Sequence, residues 1–547
     1  MKPAKTKFIV VTGGVLSGLG KGITTASIGN LFSKSYHVIP VKCEGYLNVD
    51  PGTMNPIEHG EVFVLDDKEE ADMDFGHYER FLNINCKAHW NITMGKVYQE
   101  VREKERRGDY LGKTVQMIPH VTDVIKNKWF QIAEEEKAEI MMIEIGGTVG
   151  DIETHLHLEA ARQLKREVGR ENVAYVHLTY VPVPKNVNEQ KSKPTQQSVT
   201  LLRERGIQPD LIVARCEEPL DDKIREKIST FCDVLPEAVI SGEDVEDLYE
   251  VPSLYRKQGV LDILCKRLGL AVPEEDQKKT TLRKDKEITI GICGKYTKLH
   301  DSYVSISHAL QHGGRVEGVK VKMKWLETSK DENMETFMEG VDGVIVPGGF
   351  GSRGVEGKIK VIQYCRENQI PFLGICYGMQ LAVVEFARNV CGMEKANSTE
   401  ADPETKYPVV DLLPEQLHVQ YKGASMRLGG YKVHIKQGSL AHQLLSASEI
   451  VRRFRHRYEV NPQFISVLEE KGVVFSGYTP DHSIMQVMEL PSHPFFIGGQ
   501  FHPELTSRMD QPDEFFLGLV KACINQLGAS LALKVEGKTK NPLTIPE

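Results

Sequence analysis

The stretch KFIVVTGGVLSGLGKGITTASIGNLF (residues 7–32) decides the fold of the first half of the chain. Four apolar residues, Phe8 to Val11, run without a polar break into a glycine-rich turn, and a helix-like segment follows. A short β-branched run closed by glycine reads as a buried strand of a parallel sheet. The glycines let backbone N–H groups converge on an anion, and a helix N-terminus behind them adds partial positive charge. Lys21 supplies a point charge for phosphates. The usual phosphate-loop spacing is only partly met: Gly14 stands six positions before Gly20 where five is usual, and Gly22 fills the Ser/Thr place. The plain alternative is a tight turn with an exposed lysine; the strand before it and the helix after it favour phosphate binding.

Working outward, the runs HVIPV (37–41), IMMIEI (140–145), VAYVHLTYV (173–181) and DLIVA (210–214) repeat the pattern of the first strand, with helical segments between. A second strand-and-glycine start, KEITIGICGKYT (286–297), opens another series: GVIVPGG (343–349), PFLGIC (371–376) and FFIGGQ (495–500). Between the two series lies the charged, apolar-poor stretch AVPEEDQKKTTLRKDKE (271–287), which reads as a linker. The expected fold class is therefore α/β, with two doubly wound domains: residues 1–272, a linker at 273–286, a second domain at 287–530, and a flexible tail at 531–547.

With 547 residues, 40% hydrophobic and 26% charged, the chain is long enough for two large domains of ordinary globular composition. A formal charge of −8 with both signs interspersed argues against nucleic acid as a partner and against a basic membrane anchor. No apolar stretch approaches the length of roughly 18 residues that a membrane-spanning helix needs. The ten cysteines form no CxxC pair, so a zinc site or a disulfide framework is not expected, and a reducing cytosol, hence a cytoplasmic location, fits.

Acidic residues follow the glycine loop. Asp72 and Asp74 lie in ADMDFGHYERF, and Glu144 ends a buried run before GGTVGD. A carboxylate at the C-terminal edge of a parallel strand faces the ligand crevice, and Mg²⁺ asks for one or two such oxygens beside phosphates. A solvated surface charge is the bland reading; it fits Asp72 better than Glu144.

The second half carries a sharper signal. PFLGICYGMQ (371–380) is a strand, a Gly-x-Cys-x-Gly turn and a helix start, the thiol version of a nucleophile elbow, in which small neighbours permit a strained turn and the helix N-terminus favours thiolate. Upstream, VIVPGGFG (344–351) ends a strand in glycines whose N–H groups suit an oxyanion. Downstream, QFHPE (500–504) offers His502 as base with Glu504 to orient it. A lone cysteine is usually a small core residue; Cys376, His502 and Glu504 together make a complete acyl-transfer triad.

Those residues also carry a resemblance. GICYGMQ with QFHPE is similar to the class I glutamine amidotransferases. The motifs VTGGVLSGLGKGI, NVDPGTMNPIEHGEVFVLDD, DMDFGHYERF, KERRGDYLGKTVQMIPH, IEIGGTVGDIE, KSKPTQ, KISTFC, VPGGFGSRGVEGK, ANSTE and HRYEVNP resemble the CTP synthase family, over about residues 7–525. The resemblance implies an N-terminal P-loop-like amidoligase (synthetase) domain and a C-terminal glutaminase. ATP would phosphorylate the 4-oxygen of UTP, and ammonia released from L-glutamine and led through an internal channel would displace the phosphate to give CTP. By motif match, ATP falls to Ser17, Gly18, Leu19, Gly20, Lys21, Gly22, Ile23, Lys42 and Asp74, with Asp74 and Glu144 as Mg²⁺ ligands. The UTP or inhibitory CTP pocket falls to Ser17, Asp151, Ile152, Glu153, Lys191, Ser192, Lys193, Pro194, Thr195, Gln196, Lys227 and Phe231. Glutamine falls to Gly349, Phe350, Gln380, Glu400 and Arg457, and the ammonia passage to His59. GTP as allosteric activator, CTP as feedback inhibitor, homotetramers and filaments are implied as well.

Several positions depart from the family pattern: Glu44-Gly45 where Asp-Pro is usual, Met94, His155 and His157, Asn188, Tyr377 and Phe454. They leave two alternatives open: a related ligase acting on another acceptor, or a nucleotide-binding scaffold without turnover.

Overall fold

The computed structural model describes residues 6–49, 60–274, 286–294, 300–328, 333–412 and 426–538. The chain divides into two compact units. The first comprises Met1–Pro51 and Met73–Gln277; the second comprises Gly52–Asp72 and Lys278–Glu547. The division is thus not sequential: a short excursion of the N-terminal half groups with the C-terminal unit. His59 lies outside the described residues.

In the first unit seven strands form one sheet: β1 (Lys7–Gly13), β2 (Val38–Glu44), β3 (Asn91–Thr93), β4 (Ile140–Ile145), β5 (Val173–Tyr180), β6 (Leu211–Cys216) and β7 (Val239–Glu243). Their order is β3-β2-β4-β1-β5-β6-β7, and all the pairings are parallel. The run Phe8–Val11 is fully buried, as are Ile140, Met141, Met142 and Ile143 beside it. Each such side chain contributes about 1.5–3 kcal/mol by leaving water. The chain leaves β1 toward one edge and β4 toward the other. The crevice at the switch point therefore opens between their C-terminal ends, where Val11 pairs with Glu144.

In the second unit the main sheet has nine strands: β8 (Glu287–Gly294), β9 (Lys320–Glu327), β10 (Gly343–Val346), β11 (Phe372–Ile375), β12 (Arg427–Ile435), β13 (Glu449–His456), β14 (Val474–Tyr478), β15 (Met485–Glu489) and β16 (Phe496–Gly499). Their order is β9-β8-β10-β11-β16-β15-β14-β12-β13. The first five in this order pair in parallel and the rest antiparallel. The parallel core is the part the sequence announced; in the antiparallel wing β14, β15 and β16 follow one another through short loops, which antiparallel pairing permits, while helices Leu440–Leu445 and Ile465–Glu470 lie in the longer connections before β13 and β14. The last helix, Glu514–Lys538, runs on into the stretch expected to be a flexible tail; residues 539–547 lie outside the described residues.

Candidate active sites

In the first unit the glycine loop follows β1 directly. Gly18 and Gly20 adopt left-handed conformations with φ of 77° and 89°, and so does Val15 at 78°. A side chain other than Gly's is strained there, which explains the glycines. Helix Lys21–Ser33 starts at once, with Gly20 as its N-cap. Lys21 Nζ donates to the Gly147 carbonyl at 2.9 Å. Burial lowers its pKa, and the neighbouring Lys42 adds to that effect.

Lys42, on β2, sits among three carboxylates. It pairs with Asp74, with Glu144 at 2.5 Å and with Glu44 at 3.3 Å. Burial opposes its charge, but Asp74, then Glu144 and Glu44, raise its pKa well above the ordinary value. The two principal acids part company. Burial pushes Asp74 up, yet Lys42 and His77 outweigh it and bring the carboxyl to about 2. Glu144 is raised, burial prevailing over the pull of Lys42, and the Tyr78 hydroxyl donates to it at 2.5 Å. Glycines keep this cage open: a Cβ on Gly22 would lie 1.8 Å from Asp74 Oδ1, and one on Gly146 would lie 2.2 Å from Glu44. Gly45 has the same rationale, since a Cβ there would meet the Glu153 backbone at 2.9 Å.

Beneath the loop lies a network that sequence reading missed. Thr12 Oγ1 and Ser198 Oγ bond the two nitrogens of His177 at 2.8 and 2.7 Å. Burial, and then Lys21, bring that imidazole to about 3. A histidine inside the otherwise apolar run VAYVHLTYV was its only signal.

The residues assigned to UTP or CTP lie at several places. Ser17 is exposed on the loop, and Leu19 and Ile23 flank the helix start. Asp151 accepts from Thr148 N at 2.6 Å; Ile152 and Glu153 are exposed beyond it. Ser192, Thr195 and Gln196 are buried around the start of helix Lys193–Glu204, Pro194 in its first turn, and Thr195 Oγ1 meets Thr179 Oγ1 at 3.0 Å. Lys191 and, more weakly, Lys227 lower the pKa of Glu189, which places both near it. Phe231 is exposed on helix Asp222–Cys232.

In the second unit Cys376 stands between β11 and helix Tyr377–Asn389 with φ 50° and ψ −103°, a strained conformation costing roughly 1–3 kcal/mol. The turn exists because its neighbours are small: a Cβ on Gly378 would lie 1.9 Å from the Val346 carbonyl, and one on Gly374 would meet the Gly378 backbone at 2.9 Å. His502 Nδ1 and Glu504 Oε1 are 2.7 Å apart. Burial acts to lower the His502 pKa; Glu504 and then the Cys376 sulfur overcome it and raise it to about 10. A Cβ on Gly348 would lie 2.9 Å from His502 Cε1 and 3.7 Å from Cys376 Cβ, so the glycine loop closes over both.

Around this thiol stand the residues assigned to glutamine. Gly351 N donates to Glu400 Oε1 at 2.8 Å, and the Tyr377 hydroxyl donates to the Gly351 carbonyl at 2.9 Å. The departure at Tyr377 thus ties down the loop that carries Gly349 and Phe350. The Arg455 guanidinium covers the Phe350 ring at 5.3 Å. Burial raises the pKa of Tyr458, Glu400 adds to it and Arg457 opposes it, so both charges lie beside that phenol. Gln380 Nε2 donates to the Tyr458 carbonyl at 2.7 Å.

A phosphate-type loop with a caged lysine and a thiol–imidazole–carboxylate site, each at the C-terminal edge of parallel strands, define a ligase fused to a class I glutamine amidotransferase. Comparison with known proteins agrees. Residues 7–270 match the family described as CTP synthase N-terminus, and residues 298–522 match glutamine amidotransferase class-I. The CTP synthase of Thermococcus kodakarensis is 56% identical over 526 residues, 94% of this chain and 98% of that one. That of Borreliella afzelii is 53% identical over 530 residues, 95% of this chain and 99% of that one. A solved glutaminase domain of Trypanosoma brucei CTPS with bound acivicin is 34% identical, covering 44% of this chain and 94% of its own, with a TM-score of 0.41. The chain belongs to the CTP synthase family and is a carbon–nitrogen ligase with a glutaminase domain.

Proposed function

We propose that the chain makes CTP from UTP, using ATP and ammonia that it releases from L-glutamine. The observation that carries this reading is the Lys42 cage: a buried ammonium held by Asp74, Glu144 and Glu44 at the mouth of a glycine loop, in a chain that also holds a glutaminase thiol. Lys21 and the loop N–H groups hold the ATP phosphates, and Lys42 carries charge toward the phosphoryl group in flight. Transfer of that group to the UTP 4-oxygen releases ADP. Ammonia then attacks C4, inorganic phosphate departs and a proton is lost, leaving CTP. Asp74 and Glu144 would hold Mg²⁺ beside the phosphates, where the ion would neutralise developing charge; the two acids share Lys42 as a common partner, and carboxylate oxygens are the ligands that ion takes.

In the second unit Cys376 attacks the glutamine carboxamide, the Gly348–Gly349 loop receives the oxyanion, and His502 gives its proton to the departing ammonia. Water then hydrolyses the thioester to glutamate. Phe350, Gln380, Glu400 and Arg457 hold glutamine, Arg457 pairing with the α-carboxylate. Ammonia passes inside the protein by way of His59 to the UTP site, which keeps it unprotonated.

Ser17, Asp151, Ile152, Glu153, Lys191 to Gln196, Lys227 and Phe231 form the pyrimidine nucleotide site, and CTP returns there as inhibitor. GTP activates, the chain assembles as homotetramers and filaments, and it works in the cytosol in pyrimidine biosynthesis. Family membership supports these readings. The ten unpaired cysteines fit a reducing compartment, and no helix among the described residues is long and apolar enough to cross a membrane. The test is CTP formation from UTP and ATP with glutamine or ammonium as donor. Both donors are expected to work in the parent and neither in Lys21→Ala; ATP consumption indifferent to UTP would overturn the proposal.

A further inference from the structure

Gln500, the first residue after β16, touches the nucleophile. It is fully buried, and its Nε2 lies 3.6 Å from Cys376 Sγ. Its Oε1 lies 3.3 Å from Gln380 Nε2, and Gln380 Nε2 also donates to the Tyr458 carbonyl at 2.7 Å. This chain of contacts fixes the orientation of both amides. A backbone carbonyl only accepts, so Gln380 must turn its NH₂ toward Tyr458. That NH₂ then faces Gln500, which must turn its oxygen to it. The Gln500 NH₂ is thereby left facing the sulfur; the opposite orientation would set two donors against each other. On another side the Arg455 carbonyl lies 3.6 Å from Cys376 Sγ. It can accept from a thiol and repels a thiolate.

We propose that Gln500 is a catalytic residue of the glutaminase, donating a hydrogen bond that holds Cys376 as thiolate against the Arg455 carbonyl. This rests on the reading of Cys376 as nucleophile. The hydrogen atom on sulfur has two destinations. In the thiol it points to Arg455; once it has moved to His502, the sulfur accepts from Gln500 instead. The donor arrives pre-aimed because Tyr458 and Gln380 orient it without substrate, so no reorganisation accompanies the change of state. Hydrogen bonds to ionised groups are about twice as strong as neutral ones, so the preference for thiolate is sensitive to this single amide.

The experiment compares the parent with Gln500→Leu, which removes the donor at similar volume, and with Gln500→Glu, which keeps the shape. Alkylation of Cys376 by iodoacetamide is followed across pH, the adduct being located by peptide mass because Cys391 is partly exposed. In Gln500→Leu, alkylation at neutral pH is expected to slow about tenfold, with the half-plateau moving about one pH unit alkaline. The glutaminase kcat falls by a similar factor while KM for glutamine stays within about twofold. Gln500→Glu shows the same alkaline displacement and a further loss once its carboxyl ionises. Should one variant fail to fold, shown by its thermal transition, the other still decides. Alkylation profiles that superimpose on the parent's, or a raised KM with kcat unchanged, overturn the assignment to Gln500. A parent whose Cys376 reacts with alkylating agent but never turns over glutamine overturns the glutaminase reading itself, and the proposal with it.

Discussion

Two glycine turns at the ends of parallel strands are built for opposite purposes. In the loop after β1, a Cβ on Gly18 or Gly20 would meet nothing within 4 Å; those glycines serve only the left-handed backbone, with φ of 77° and 89°. In the turn around Cys376 the glycines serve packing, and the positive φ falls on the nucleophile, 50° at Cys376 itself. The first turn is open at Gly18 and Gly20. The second is closed against Val346 and shaped around its own thiol. The charges follow the same division. Lys42 holds its carboxylates together, whereas His502 is already paired with Glu504 beside the thiol. A site that makes a covalent bond to its substrate can be assembled from residues alone. A site that moves a phosphoryl group is completed by the nucleotide.

The harshest way to break that comparison is Cys376→Ala. Glutamine-dependent CTP formation is expected to fall by at least about a thousandfold, as for loss of other catalytic nucleophiles, while ammonium-driven formation stays at the parental rate. Loss of both activities, measured by CTP absorbance with each donor, would show that the thiol is a packing element of the whole protein. Glu504→Gln comes next, with a fall in glutaminase kcat because the carboxylate orients His502 and stabilises its imidazolium. It also carries a pH signature. His502 is lifted from its ordinary 6.5 to about 10, so the stability its charge brings is full below about 6.5 and is lost as pH climbs through about 10. The gap in melting temperature between parent and variant should be widest at or below neutral pH and close toward about pH 10. A gap independent of pH would remove the ion pair from the account.

Gly22→Ala sharpens the other side. Its Cβ would lie 1.8 Å from Asp74 Oδ1, so the carboxylate must swing away from Lys42. CTP formation from either donor is expected to fall about a hundredfold, as for a catalytic group displaced by roughly an ångström, with the parental melting temperature nearly kept. Selective loss of the glutamine-driven reaction would contradict the placing of Asp74 in the nucleotide site.

What could be read beforehand follows the same physics. Strand β1, its loop and the turn at Cys376 announce themselves because each is local: an apolar run, a glycine spacing, a helix start within a dozen residues. His502 and Glu504 stand two residues apart in one motif. The partners of Lys42 were harder. Glu144 shows itself as an acid ending a buried run and Asp74 as an acid after the glycine loop, but Glu44 stands out only as a departure from the family pattern and Tyr78 only as part of a motif, since neither advertises where it points. The Gln380–Gln500 relay joins residues 120 apart, and His177 meets Ser198 across a strand and a helix; no spacing rule anticipates such meetings. The antiparallel wing is likewise set by pairings between distant strands, and the membership of residues 52–72 in the second unit by contacts that composition does not record.

That excursion gives the smallest and most discriminating test. The short antiparallel strands Phe63–Val64 and Glu70–Ala71 flank Asp66, whose carboxylate accepts from Arg453 Nε at 2.7 Å, and the second strand carries Glu70, which pairs with Arg455. Both arginines lie on β13, whose end leads to Arg457. Glu70 is almost wholly buried, with its side chain 1% exposed, against 17% for Arg455. Removing such a partner leaves a cation short of its counter-charge, and here that cation covers Phe350 while its own carbonyl faces Cys376. Glu70→Gln keeps the shape and weakens the pairing. The rim of the thiol site should loosen while the triad stays intact. KM for glutamine is expected to rise about three- to tenfold, the size of one weakened charge-assisted contact, with kcat changed less and ammonium-driven CTP formation unchanged. Steady-state kinetics with the two donors decide it. An equal loss with ammonium would mean that a residue from the N-terminal half of the sequence still serves the N-terminal chemistry, and the division of labour drawn from the two turns would fail at the one segment that changes sides.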